Sequence, residues 1–205
     1  EYAMDAVESL NQCGQLLSEN FGLGLGATSD LLSYPVIFPP MAFIMRKINR
    51  ANMSVDDRTR AERKLIRWYI GANLARRYQA STHTKQLQDR DEIWNWIQAG
   101  DDETPSWCKD AYVRPLRDVA PNGALGRLVL AVMNHKGLKD PYSSASVGYK
   151  SGAVTTAKHH IFPTKFVRQL AGWSKKDASN LVLNIMFVSE ATNTSWYNAD
   201  PAKQI

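Results

Sequence analysis

Lys158-His159-His160-Ile161-Phe162-Pro163 sets two imidazoles side by side in a chain that has four histidines in all. Imidazole moves protons near neutral pH and is also the commonest metal ligand. Two asparagines follow, Asn180 and Asn193. Hydrolysing a phosphodiester requires a base to activate water, a cation to offset charge on the phosphate and leaving oxygen, and a group that orients the base. These residues can supply all three. His160, at the end of a strand, can be the base, and His159 can ligate a metal through a neutral nitrogen. Asn193 can give a second ligand through its amide oxygen. Asn180 can offer its carbonyl to the His160 imidazole and fix its tautomer. Neighbouring side chains on a strand point to opposite faces, so two histidines serving one site need a strand end or a bulge.

The elements that must position them come last in the chain. After Pro141 helical periodicity gives way to small and β-branched residues. Residues 153–161 read as a strand, 163–170 as a loop or short helix, and 181–188 as a second strand. Ser189 is placed to cap a final helix with Glu190 in its first turn and Asn193 just beyond. Lys165, Arg168, Lys175 and Lys176 fall between the two strands, where they can contact phosphates or simply face solvent.

The chain before this is helical in pattern. An apolar stripe runs over 2–19, closed by Gly22, Gly24 and Gly26. That glycine run lacks the Lys-Ser/Thr of a phosphate-binding loop and reads as a plain loop. Pro39 or Pro40 opens a second helix. Ser54 caps a third, expected to run to Tyr78, with Leu65, Ile66, Tyr69, Ile70 and Leu74 inward. Its other face carries Arg58, Arg60, Arg63, Lys64, Arg67, Arg76 and Arg77, which reads as a solvated face with phosphate contact as the alternative. A fourth helix covers 82–98 with Leu87, Ile93, Trp94 and Ile97 toward the core. Residues 100–105 form an acidic loop without the alternating oxygens of a calcium site. A short helix falls within 105–116. An apolar helix over 125–133 is closed by His135, placed as a C-terminal cation.

The totals fit a soluble protein. The chain has 205 residues, 44% hydrophobic, with a net charge of +5, which permits a polyanionic partner without demanding one. Cys13 and Cys108 are far apart and read as reduced thiols of a cytoplasmic protein. No stretch matches a membrane span or a signal peptide. The beginning without Met and the ending at Ile205 suggest a piece of a longer protein.

His159-His160-Ile161-Phe162-Pro163, then Asn180-Leu181-Val182-Leu183, then Glu190-Ala191-Thr192-Asn193 resembles the HNH (ββα-metal, His-Me finger) nuclease motif. More narrowly, it is similar to the C-terminal nuclease domain of GmrSD-family modification-dependent restriction enzymes. Arg76-Arg77-Tyr78-Gln79-Ala80-Ser81, followed by Lys85-Gln86-Leu87 and Asp89, is similar to the helical segment preceding that motif. The resemblance implies that His160 is the general base, His159 the first metal ligand, Asn180 the middle asparagine and Asn193 the last metal-binding residue. It implies one divalent cation, Mg²⁺ or Mn²⁺. Histidine at 159, where many members carry an acid, moves the preference toward Mn²⁺, Ni²⁺ or Zn²⁺. It also implies phage or modified DNA as substrate, a 3′-hydroxyl product, a restriction or antiviral role, and a ParB-like nucleotidase domain as the missing N-terminal partner.

The expected fold is therefore mainly α with a small α+β module. A helical bundle over 1–140 precedes a ββα-metal finger over 141–205. The expected function is DNA endonuclease activity, by nicking or double-strand cleavage. A nucleic-acid-binding or regulatory module that keeps the hairpin without the chemistry is the alternative. A structural zinc domain is a weaker one, because no cysteine pair accompanies the histidines.

Overall fold

The computed structural model describes residues 2–22, 35–99, 104–109, 116–149, 153–169, 179–197 and 199–204. The chain is mostly helical with a small antiparallel strand portion, and it divides into two compact units. The first holds residues 1–16 and 33–114, the second 17–32 and 115–205. The sequence suggests a division at 140. The observed one lies earlier because the helix over 124–135 packs with the second unit, against the 3₁₀ turn Val182–Asn184.

In the first unit, α2 (Phe38–Arg50), α3 (Val55–Leu74) and α4 (Thr82–Gln98) pack on one another. Ile44, Ile48, Leu65, Trp68, Tyr69 and Ile93 form its buried centre. The start of α1 (Tyr2–Phe21) joins them through Asn49 donating to Gln12 Oε1. Proline opens α2 as expected, since the missing N–H is an orphan there anyway. Ser54 caps α3, its Oγ accepting from Asp57 N at 3.1 Å. That helix stops at Leu74, short of Tyr78, because Arg76 turns to φ +50°. On α4 it is Trp96 that is buried, while Trp94 is half-buried and Leu87 exposed.

Asp89 explains the segment between α3 and α4. It is fully buried and accepts from Arg77 Nε at 2.7 Å, Trp68 Nε1 at 3.2 Å and the Tyr78 hydroxyl. Arg77 is thus an internal strut. Three of its basic neighbours are also engaged within the unit: Arg58 with Glu62, Arg60 with Asp57, and buried Lys64 with the Trp96 carbonyl. Cys13 and Cys108 are free thiols, and burial pushes both up to about 12. Most of the acidic loop of 100–105 and residues 23–34 after Gly22 lie outside the described residues.

In the second unit, the end of α1 is closed by Gly22 at φ +68°. A Cβ there would lie 2.3 Å from that of Tyr149. α6 (Ala124–His135) follows the short α5 (Ser106–Lys109) of the first unit. Two strands absent from the sequence reading, β1 (Leu138–Lys139) and β2 (Ser146–Val147), pair antiparallel. β3 (Thr156–His160) and β4 (Ile185–Ser189) form a second antiparallel pair, in register from Thr156 opposite Ser189 to His160 opposite Ile185. α7 (Thr164–Gln169) follows β3, and α8 (Glu190–Trp196) packs on both β3 and β4. β4 begins four residues later than expected, because Val182–Asn184 form a 3₁₀ turn. Among the described residues no helix is long and apolar enough to cross a membrane.

Candidate functional site

The two histidines end β3, and strand alternation sends them to different surroundings. His159 is 4% exposed, beneath α8, with its ring edge-on to Trp196 at 5.7 Å. Its Nδ1 lies 2.8 Å from Asn193 Oδ1. An amide oxygen only accepts, so Nδ1 is the donor in this bond, and in a neutral imidazole the lone pair is then on Nε2. His160 is the last residue of the strand, and the chain bends at Ile161 and Phe162. Both rings consequently border a single cleft, together with Lys158, Pro163, Thr164, Asn193 and Tyr197. The Nε2 atoms of His159 and His160 are both buried without a hydrogen-bond partner among the described residues. The strand end thus resolves how adjacent histidines can serve one site.

α8 carries Asn193 to this place. Ser189 opens it, its Oγ accepting from Thr192 N at 3.1 Å, as the sequence led one to expect. The helix closes at Tyr197, whose N–H donates to the Asn193 carbonyl at 2.9 Å and whose φ is +22°.

Asn180 takes a different position from the one its expected role requires. It is exposed, and among the described residues no hydrogen bond joins it to His160. The bridging amide is Asn184. Its Oδ1 accepts from Phe162 N at 2.8 Å, and its Nδ2 donates to the carbonyls of Phe162 at 3.0 Å and Ser179 at 2.7 Å. This clamp fixes the bend that follows His160. Its signal in the sequence is a lone amide set inside the apolar run from Leu181 to Met186.

Asp140 is the second residue that sequence reasoning missed. It is 1% exposed and accepts from Tyr142 N, Ser143 N, Ser143 Oγ, Ser189 N and Thr192 Oγ1. Burial pushes its carboxyl up, but the donated hydrogen bonds outweigh this, the Ser143 and Ser189 N–H groups foremost. They hold it well below the usual carboxylate range. The sequence signal was an Asp before Pro141, the opening of an Asx turn.

Lys165 and Arg168 are exposed on α7, and no ion pair among the described residues engages them. Lys175 and Lys176 lie outside the described residues. His83 is exposed on α4, and His135 ends α6, the place the sequence suggests for it, with its ring against Phe21.

The residues lining the cleft that could hold a metal are His159 and His160, each with an Nε2 free of hydrogen-bond partners among the described residues, and Asn193, whose amide oxygen already accepts from His159. Among the described residues no three His, Cys, Asp or Glu side chains cluster, so no carboxylate completes the set. Neutral nitrogen donors suit Mn²⁺, Ni²⁺ or Zn²⁺ better than Mg²⁺. The two orphaned buried nitrogens fit such an ion. No family model matches the chain, and no curated protein or solved structure does either.

Proposed function

We propose that the chain is a metal-dependent DNA endonuclease of the HNH type, with β3, β4 and α8 as its ββα-metal finger. One arrangement carries this reading. The His159 Nδ1–Asn193 hydrogen bond orients the His159 ring, both histidines line the same cleft, and the Nε2 atom of each is buried without a hydrogen-bond partner among the described residues. Buried polar atoms left unpaired cost free energy and call for an explanation. Ligation at one and proton transfer at the other provide it.

In this reading His159 holds the cation through Nε2, and Asn193 keeps that ring oriented, as partners of ligating histidines do. Bound there, a divalent cation offsets charge on the phosphate and the leaving oxygen. His160 Nε2 accepts the proton of the water that attacks phosphorus. The Asn184 clamp on Phe162 holds the backbone just after His160 and so limits the ways that ring can swing. Lys165 and Arg168, with Lys175 and Lys176, contact flanking phosphates. The nitrogen donors favour Mn²⁺, Ni²⁺ or Zn²⁺. Phage or modified DNA as substrate, a role in restriction, and a ParB-like nucleotidase partner rest on the resemblance of the motif alone.

A plasmid-nicking assay with Mg²⁺, Mn²⁺ and Ni²⁺ tests the reading. His160→Ala should lower nicking by about 10²–10⁴-fold, the usual contribution of a general base. Undiminished nicking by that variant removes His160 from the base role. One observation favours a second reading, a DNA-binding module without catalysis: Asn193 Oδ1 already accepts from His159, and among the described residues no carboxylate joins the two histidines in a cluster. That reading gains if the wild type binds DNA but nicks it with none of the three metals.

A further inference from the structure

We propose that Asp140 is a positioning residue for the cleft, acting through the β4–α8 junction to hold Asn193 against His159; this rests on the nuclease reading above. The carboxylate divides its work between its two oxygens. Oδ1 accepts from Ser143 N at 2.8 Å, Tyr142 N at 3.1 Å, Ser143 Oγ at 2.9 Å and Thr192 Oγ1 at 2.9 Å. Oδ2 accepts from Ser189 N at 2.7 Å. Ser189 is the last residue of β4, the cap of α8 and the partner of Thr156 in the ladder with β3. Thr192 directly precedes Asn193, whose side chain reaches His159 Nδ1 at 2.8 Å. One buried anion thus joins the turn after β1 to the end of the sheet and the first turn of the helix. A negative charge is favoured at a helix N-terminus. An ionised carboxylate is an acceptor on both oxygens and offers no donor of its own, so it suits a place where every neighbour donates.

Asp140→Asn separates this role from simple support of the turn. With its oxygen kept toward the donors on the Oδ1 side, the new amide nitrogen faces the Ser189 N–H, donor against donor. The turn at Tyr142 and Ser143 keeps its acceptor, while the strand–helix junction loses one. The readout is the His159 ring itself, followed by ¹⁵N-edited NMR at pH 8, where an ordinary imidazole is neutral. Wild type should show a single Nδ1–H tautomer, and Asp140→Asn a mixture of tautomers. Mn²⁺ binding by Asp140→Asn, measured by calorimetry on the full chain, should weaken by about 10–100-fold, as for loss of a group that orients a ligating histidine.

Thr192→Val removes the hydroxyl donor and leaves the carboxylate in place. It should move both readouts in the same direction, and it decides the matter if Asp140→Asn fails to fold. Wild-type tautomer and Mn²⁺ affinity in the folded variants would overturn the assignment, as would an Nε2–H tautomer in the wild type. The tautomer is read without any nicking, so a wild type that never cuts DNA defeats the nuclease reading and leaves the role of Asp140 to be judged on the ring.

Discussion

At the scale of single residues, the side chains proposed to carry the chemistry stand out in the sequence, and the groups proposed to aim them do not. His159, His160 and Asn193 stand out because imidazole is scarce and the order strand, strand, helix brings them together. Asn180 and Asn184 are the same residue type four positions apart, and the apolar run around Asn184 marks it as unusual without saying what it holds. What separates them is the backbone of Phe162, which lies 22 positions from Asn184. A tertiary partner decides the role, and no period or propensity records it. Asn184→Ala would leave the N–H and carbonyl of Phe162 and the carbonyl of Ser179 without their amide partner. It should lower stability by about 1–3 kcal/mol, seen as a lower urea midpoint, and reduce nicking as well. Asn180→Ala, on an exposed side chain, should stay within about 0.5 kcal/mol of wild type. If nicking instead vanishes in Asn180→Ala and survives in Asn184→Ala, the motif assignment holds against the geometry.

At the scale of elements, caps and prolines were legible because they satisfy backbone groups that every helix end exposes. Ser54, Ser189 and the prolines opening α2 each act as their position suggests. Helix faces were less legible: Trp94 and Trp96 both fit a helical pattern, and packing buries the second. The late start of β4 has a similar origin, since Leu181 to Val188 is apolar but for Asn184 and does not reveal where a 3₁₀ turn becomes a strand. The N-terminus of α8 depends on a charge, and that dependence has a pH signature. The Asp140 carboxyl titrates below its unfolded value near 3.9. Its contribution is therefore complete above that value and is lost as pH falls through the lower, folded one. Its named donors are neutral N–H and hydroxyl groups, so the loss should be nearly insensitive to salt. Acid titration followed by circular dichroism, at low and at 0.5 M salt, should show the second unit of wild type weakening below about pH 4. Asp140→Asn should start weaker and lack that component. An acid transition that shifts strongly with salt would assign it instead to surface ion pairs such as Arg50–Asp5.

At the scale of the whole molecule, a mostly helical chain with a small antiparallel portion follows from the change of texture near Pro141. The position of the boundary does not, because α6 is as apolar and helical as anything in the first unit and gives no sign of packing with the strands. The buried centre of the first unit is apolar, and two buried charges beside it have partners, Asp89 in Arg77, Trp68 and Tyr78 and Lys64 in the Trp96 carbonyl. The second unit has its own apolar residues, Leu128, Leu130, Val182, Phe187 and Val188 among them. Among the described residues neither core holds a cluster of three His, Cys, Asp or Glu side chains. Chelation alone should therefore leave the fold intact, in contrast to a structural zinc domain, which unfolds without its ion. A cation that binds the folded cleft should stabilise the chain by mass action, by about 2.7 kcal/mol at a hundredfold excess over its dissociation constant. Thermal unfolding in Mn²⁺ or Ni²⁺ should then show a raised midpoint, with a smaller rise in Mg²⁺ and none in His159→Ala. A rise of equal size in His159→Ala would place the bound ion elsewhere. Unfolding on treatment with EDTA would show that the fold itself is held by a metal.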